Sequence, residues 1–250
     1  VTRLFLACTP RTGNTWFRSS FAHLTGIVNW SAYFPGDVPW ELLPQDVSLS
    51  MHWHRTLPFE GFLRQYGFRI MVMARHPLDV LLSILSYAQR NEEATRKWLY
   101  SECGDERTLV GATPTSDAFV HYALGWRAAT LFNVSVAWAS RAAVHVHYER
   151  LVQTPHEEFG RICTALGMEQ RVDVDTVVGL YTPDAMRAAV PNHYWQGAPG
   201  LWKRLIVPEL ATAIRERHPA AFETFGYECD PDPGLTVEQA AANWAALRPA

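Results

Sequence analysis

Cysteine is scarce in this chain. Its four cysteines, Cys8, Cys103, Cys163 and Cys229, lie far apart and form no C-x-x-C pair. That spacing argues against a zinc cluster and gives the expectation of no metal site. Cys8 and Cys163 sit in apolar runs, as small core residues do, so a reduced, cytoplasmic setting is expected. A dominant charge sign is also lacking. The 22 Lys and Arg against 25 Asp and Glu leave a net charge of −3. Nothing global draws the chain to nucleic acid or to an anionic membrane, so a polyanionic ligand has to be met by local Arg, Lys and N–H donors. No apolar run approaches the roughly 20 residues of a membrane span. There is no internal repeat, low-complexity stretch, long linker or long basic run. No loop ends in the G-K-[ST] of a Walker A motif, which lowers the weight of an ATP or GTP site.

What is present is a chain of 250 residues with ten tryptophans. That length supports one domain with a sizeable core. Apolar runs alternate with helical patterns, which predicts an α/β fold: a single domain with a central, mostly parallel sheet flanked by helices. Strands are expected at 3–8, 47–53, 68–74 and 143–148. Helices are expected at 14–24, 58–66, 77–90, 117–139 (capped by Ser116) and 155–166, the last stopped by Gly167. The four prolines and glycines within 29–45 predict a covering loop, and 91–115 a flap. More helices are expected in the tail, with residues beyond Asp230 peripheral to a core at about 3–227.

The first chemistry-bearing stretch is Leu4-Phe5-Leu6-Ala7-Cys8-Thr9-Pro10-Arg11-Thr12-Gly13-Asn14-Thr15-Trp16. An apolar strand feeds a tight loop that opens a helix. Helix N-termini carry unpartnered N–H groups and positive potential, so this is an anion site in form. Arg11 adds a full charge, and Thr12 and Thr15 add hydroxyls. Pro10-Arg11-Thr12-Gly13-Asn14-Thr15-Trp16 resembles the loop that holds the 5′-phosphosulfate in sulfotransferases dependent on 3′-phosphoadenosine 5′-phosphosulfate (PAPS), where Pro-Lys-Ser-Gly-Thr-Thr-Trp is usual.

Four further segments carry chemistry. Arg75 leaves the end of a buried apolar run, and Ser83 lies eight residues on, two turns into the next helix. Arg75, Pro77, Asp79 and Ser83 match the family's Arg-Asn-Pro-x-Asp-x-x-x-Ser segment at the 3′-phosphate. His52 and His54 alternate at a strand end, so they share one face. A metal pair on them lacks an obvious third ligand. By position the family's Lys-Thr-His places its catalytic histidine on His54 and its lysine on His52, whose role stays open. Tyr148 matches the tyrosine of a strand ending in Tyr-Glu-Asp that contacts the adenine side. Gly197, Gly200, Trp202 and Lys203 match Arg-Lys-Gly-x-x-Gly-x-Trp-Lys, but Trp195-Gln196 replaces the Arg-Lys pair that grips the 3′-phosphate. The amides of Gln196 and Gly197 can still form an anion nest.

The resemblance implies a P-loop NTPase-like fold and sulfuryl transfer from PAPS, with adenosine 3′,5′-bisphosphate (PAP) as product. Arg11, Thr12, Gly13, Asn14, Thr15, Trp16, Arg75, Ser83, Tyr148, Gln196 and Gly197 are then the nucleotide contacts. His54 is the base, Arg11 the electrostatic stabiliser, and His52 a further candidate. Trp30, Tyr33, Phe34, Trp40 and Trp53 point to a small-molecule acceptor, aromatic or apolar, or a natural product. Two other readings stand beside this one: a P-loop kinase-like phosphotransferase, and a non-catalytic nucleotide-binding relative.

Overall fold

A computed structural model describes residues 1–90, 105–189 and 195–247. Most of the expected flap, and Cys103, lie outside the described residues. The chain divides into two compact units, Val1–Arg75 with Asn133–Pro191, and His76–Phe132 with Asn192–Ala250.

The first unit is built on a five-stranded parallel sheet: β1 (Arg3–Cys8), β2 (Val28–Ser31), β3 (Val47–Met51), β4 (Phe68–Ala74) and β5 (Val144–His147), in the order β2-β3-β1-β4-β5. Parallel strands buried on both faces read as continuous apolar runs, and β1 and β4 do. Alternate residues serve opposite faces. Leu4, Leu6 and Cys8 of β1 join Met71, Met73, Val144 and Val146 under α1 (Asn14–Thr25) and the helix Pro155–Leu166. Phe5 points the other way, into an aromatic cluster with Phe59 of α2 (Leu57–Gln65) and Trp138, at centroid distances of 5.6 and 5.3 Å.

The sheet contains one strand more than the sequence predicts. β2 falls inside the expected covering loop. The remainder of that loop holds two short 3-10 turns, Pro35–Asp37 and Trp40–Leu42. The strand order makes β1 the switch point. The chain leaves β1 toward β2 and β3 on one side and later returns to β4 and β5 on the other. In open α/β sheets ligands bind beyond the carboxyl ends of strands at such a point.

The second unit contains α3 (Pro77–Arg90), whose buried face carries Leu78, Leu81, Leu82 and Leu85. The helix expected over 117–139 is broken in two, α4 (Asp117–Leu124) and α5 (Trp126–Ala139). Gly125 sits at the break, where an added Cβ would lie 2.8 Å from the His121 carbonyl oxygen. Two carbonyls at the end of α4 are satisfied from elsewhere: His218 Nε2 lies 2.7 Å from the Ala123 oxygen, and Arg217 donates to Leu124 at 3.1 Å. Arg127 and Glu106 form a buried pair at 2.6 Å, and the Tyr122 hydroxyl donates to the same carboxylate.

The remaining helices are α6 (Tyr148–Gln153), α7 (Pro155–Leu166), α8 (Val174–Leu180), α9 (Pro183–Ala189), α10 (Pro208–Arg217), α11 (Pro219–Glu223) and α12 (Val237–Leu247). The segment beyond Asp230 thus ends in α12, which buries Ala240 and Trp244 in the second unit's core. No described helix is long and apolar enough to cross a membrane.

Candidate nucleotide and active site

The loop after β1 is shaped by two left-handed residues, Arg11 (φ 69°) and Gly13 (φ 91°). Arg11 is the sole non-glycine residue with positive φ among the described residues, a conformation that costs an L-residue about 1–2 kcal/mol. Alternating handedness of this kind forms concave arrays of backbone amides. Gly13 opens α1, and the first helical bond runs from the Phe17 amide to the Gly13 oxygen at 3.0 Å. The amides of Gly13, Asn14, Thr15 and Trp16 meet no acceptor among the described residues. A row of unanswered donors at a helix start is what an anion requires.

The loop is locked from within the unit. Ser135 of α5 accepts from the Thr9 amide at 2.7 Å and donates to the Met73 carbonyl at 2.9 Å. One hydroxyl therefore ties the carboxyl ends of β1 and β4 together. Thr12 is buried, and its hydroxyl donates to the Thr9 carbonyl at 2.9 Å. That proton, read from sequence as a donor to the anion, closes the loop instead. Thr15 keeps a half-buried hydroxyl. Trp16 Nε1 donates to the Tyr181 carbonyl at 2.9 Å, which fixes the indole.

Arg75 follows β4 directly. It is 7% exposed, lies 4.5 Å above the Tyr148 ring, and places Nη1 3.4 Å from the Arg11 carbonyl oxygen. Its Nε is buried without a hydrogen-bond partner, and no carboxylate pairs with it among the described residues. A buried cation without a counter-charge is costly, and an incoming phosphate would supply one. Tyr148 opens α6 and is buried beneath Arg75 and Gly13. A Cβ at Gly13 would come within 2.5 Å of Tyr148 Cε2, so the loop and the ring fit only as glycine against tyrosine. These contacts fit a doubly charged nucleotide on chemical grounds: backbone amides at one point, a desolvated guanidinium near them.

The two histidines differ. His52 directly follows β3, and its Nδ1 donates to the Cys8 carbonyl at 2.7 Å, leaving Nε2 as an acceptor. Burial, with Arg18 and Arg11 nearby, pushes His52 down to about 4. Burial likewise pushes the Cys8 thiol up to about 12. Both are neutral at pH 7. His54 is half-buried in a segment fixed on both sides: Trp138 Nε1 donates to the Trp53 carbonyl at 2.9 Å, and Thr56 caps α2 by accepting from the Phe59 amide at 3.3 Å.

Ser83, Gln196 and Gly197 belong to the second unit. Ser83 is buried in the second turn of α3. The glycine-rich loop is tied to the first turn of that helix by Asp79, whose carboxylate accepts from the Gly200 amide at 2.6 Å and the Trp202 amide at 3.0 Å. Trp202 stacks on His76 at 4.8 Å. Trp195 packs on Trp244, and Gln196 Nε2 lies 3.4 Å from the Leu247 carbonyl. The two residues that replace the Arg-Lys pair thus face the last helix. The sequence reading missed Ser135 and left Asp79 without a task. A lone hydroxyl between buried Leu131, Val134 and Trp138 was the signal for Ser135.

No protein-family model matches this sequence, and no curated protein matches it. Solved structures do. A mouse sulfotransferase, SULT7A1, complexed with PAP, aligns with a TM-score of 0.66 at 14% identity, over 88% of this chain and 84% of that one. A retinol dehydratase in complex with androsterone and the inactive cofactor PAP aligns at 0.57 with 12% identity, over 88% and 80%. A retinol dehydratase complex with retinol and PAP gives 0.56 at 11%, over 88% and 81%. This chain has the sulfotransferase fold. In that fold the loop after β1, Arg75 and the end of β3 all lie at the carboxyl edge of one P-loop NTPase-like sheet.

Proposed function

We propose that this protein is a PAPS-dependent sulfotransferase that acts on a hydroxyl or amine of a small-molecule acceptor. The observation that carries the reading is the row of amides from Gly13 to Trp16 beside the buried Arg75, which lies 3.4 Å from the Arg11 carbonyl, with no acceptor for the amides and no counter-charge for Arg75 among the described residues. The sulfotransferase fold and its PAP-bound neighbours support the nucleotide. The neighbours crystallised with androsterone and retinol support a small apolar acceptor.

When bound, PAPS supplies the sulfuryl group and departs as PAP. The amides of residues 13–16 and the Thr15 hydroxyl hold its 5′ end, and Arg75 meets the 3′-phosphate. The family resemblance adds Ser83, Gln196 and Gly197 of the second unit to the nucleotide contacts. Arg11 stabilises charge gathering on the 5′-phosphate; its guanidinium stays protonated, so the contribution is electrostatic. His54 takes the proton from the acceptor as it attacks, a step for which imidazole is suited near neutral pH. His52 is neutral and bonded to Cys8, so it sets the course of the chain that carries His54.

Trp195-Gln196, turned to the last helix, favours one second reading: a relative that binds the nucleotide without turnover. Sulfur-35 transfer from labelled PAPS to a panel of phenols, alcohols and amines separates the two. Labelled product supports the enzyme. Stabilisation by PAP with no labelled product from any acceptor supports the binder. Stabilisation by ATP and magnesium alone points to a kinase.

A further inference from the structure

His54 lies in a stretch with no regular structure of its own. β3 ends at Met51 and α2 begins at Leu57, and residues 52–56 between them are neither strand nor helix. Side chains hold this stretch on both sides of His54. Before it, the Trp53 carbonyl accepts from Trp138 Nε1 at 2.9 Å. After it, Arg55 closes on Glu60 in the first turn of α2. Arg55 Nε donates to Glu60 Oε2 at 2.8 Å, and Nη2 lies 2.6 Å from Oε2 as well. The other carboxylate oxygen, Oε1, lies 3.1 Å from Arg141 Nε. Arg141 follows α5, and its amide donates to the Trp138 carbonyl at 2.9 Å. One helix end therefore reaches both neighbours of His54, through Trp138 to residue 53 and through Arg141 and Glu60 to residue 55. All of these residues belong to the first unit. The Arg55 and Glu60 side chains are 22% and 17% exposed, so this pair is better shielded than a surface ion pair.

We propose that Glu60 is a positioning residue: it fixes the chain at Arg55, and through it the placement of His54 for proton removal from the acceptor. The proposal rests on the transferase reading above. A base acts within about 2.6–3.2 Å of the group whose proton it takes, and a misplacement of about 1 Å can cost 10²-fold in rate. Residues 52–56 lack a backbone ladder, so that precision has to come from side chains packed around them. A carboxylate that answers two guanidiniums through both oxygens has a fixed geometry, which a single flexible charge pair does not.

The test compares the unaltered protein with Glu60→Gln, Glu60→Asp and Arg55→Gln. In PAP-loaded protein carrying carbon-13 histidine, the His54 signal is identified by its loss in His54→Gln. It should be one narrow line in the unaltered protein and should broaden or split in Glu60→Gln. In sulfur-35 transfer, Glu60→Gln and Arg55→Gln should each lower kcat about 10–100-fold with KM and PAP affinity unchanged, and Glu60→Asp should recover part. Placed on His54→Ala, Glu60→Gln should cost nothing further, because the base it acts through is already gone. An unchanged His54 line in Glu60→Gln, turnover within about twofold of the unaltered protein, or a further loss beyond about threefold on His54→Ala overturns the proposal. Loss of PAP affinity or of folded protein in both Glu60→Gln and Arg55→Gln also overturns it, by making the pair part of the scaffold. If the unaltered protein binds PAP yet transfers no sulfuryl group to any acceptor, the transferase reading falls and the proposal with it.

Discussion

The guanidinium of Arg75 lies 3.4 Å from the carbonyl oxygen of Arg11. This contact joins the end of β4 to the loop after β1, and so sets the Arg75 guanidinium against the backbone of the loop that opens α1. Arg75→Ala is expected to weaken PAP binding about 10–100-fold, the worth of one charge-assisted hydrogen-bond set. Arg75→Lys should recover part, because a point charge replaces the charge and not the fork. Titration calorimetry reads both. An unchanged dissociation constant in Arg75→Ala removes it from the phosphate site.

Gly13 meets two constraints at once, a φ of 91° and the Tyr148 ring. Gly13→Ala should lower stability by about 1–3 kcal/mol and abolish PAP binding, because the loop must move off Tyr148. The pair Gly13→Ala with Tyr148→Ala removes the clash and leaves the φ strain. It should regain part of the stability in urea unfolding.

His54 and His52 separate by kinetics. His54→Ala should keep PAP affinity and lose roughly 10²–10⁴ in turnover, the usual worth of a positioned base. His52→Ala should lose less and should also disturb the loop through Cys8. Near-normal turnover in His54→Ala assigns proton removal elsewhere.

Acid should destabilise the fold before it protonates carboxylates. His52 and His147 are held down at about 4, chiefly by burial, and burial lowers His218 as well. Between about pH 6.5 and 4 the unfolded chain binds protons at His52 and His147 that the folded chain refuses. Stability is therefore complete above pH 6.5 and falls as pH drops, by up to about 1.4 kcal/mol per pH unit for His52 and by less for the half-buried His147, with His218 adding in the same direction. Urea midpoints across this range should show the slope, and His52→Gln should flatten it.

Asp79 holds the Gly200 and Trp202 amides. Asp79→Ala leaves both without an acceptor and should cost about 2–4 kcal/mol, counting about 1–2 for each amide. Hydrogen exchange at Gly200 and Trp202 should rise in the variant. Unchanged protection there would show that the loop is ordered by Trp202 on His76 instead.

The sheet's inner strands were plain in the sequence because burial on both faces leaves an unbroken apolar run, as in β1 and β4. β2 was not. Its four residues, Val28–Ser31, form an edge, three of them exposed, so no pattern distinguishes them from loop. The break at Gly125 was equally hidden, since Arg217 and His218, which satisfy the freed carbonyls, lie far along the chain. At the site, residues 10–16 were legible as one contiguous stretch whose local geometry makes its chemistry. The parts that depend on pairing across the sheet were not: Ser135 on Thr9, Arg75 on the Arg11 carbonyl, His52 on Cys8, and Thr12 turned inward.

The most direct measurement is a calorimetric titration of PAP into the unaltered protein, run beside ATP with magnesium and beside AMP. The account predicts one PAP site, weaker binding of AMP, and no comparable binding of ATP. Saturation at 100 times the dissociation constant should raise the thermal midpoint by roughly 5–10 °C. ATP binding as tight as PAP, or no heat from PAP at all, contradicts it.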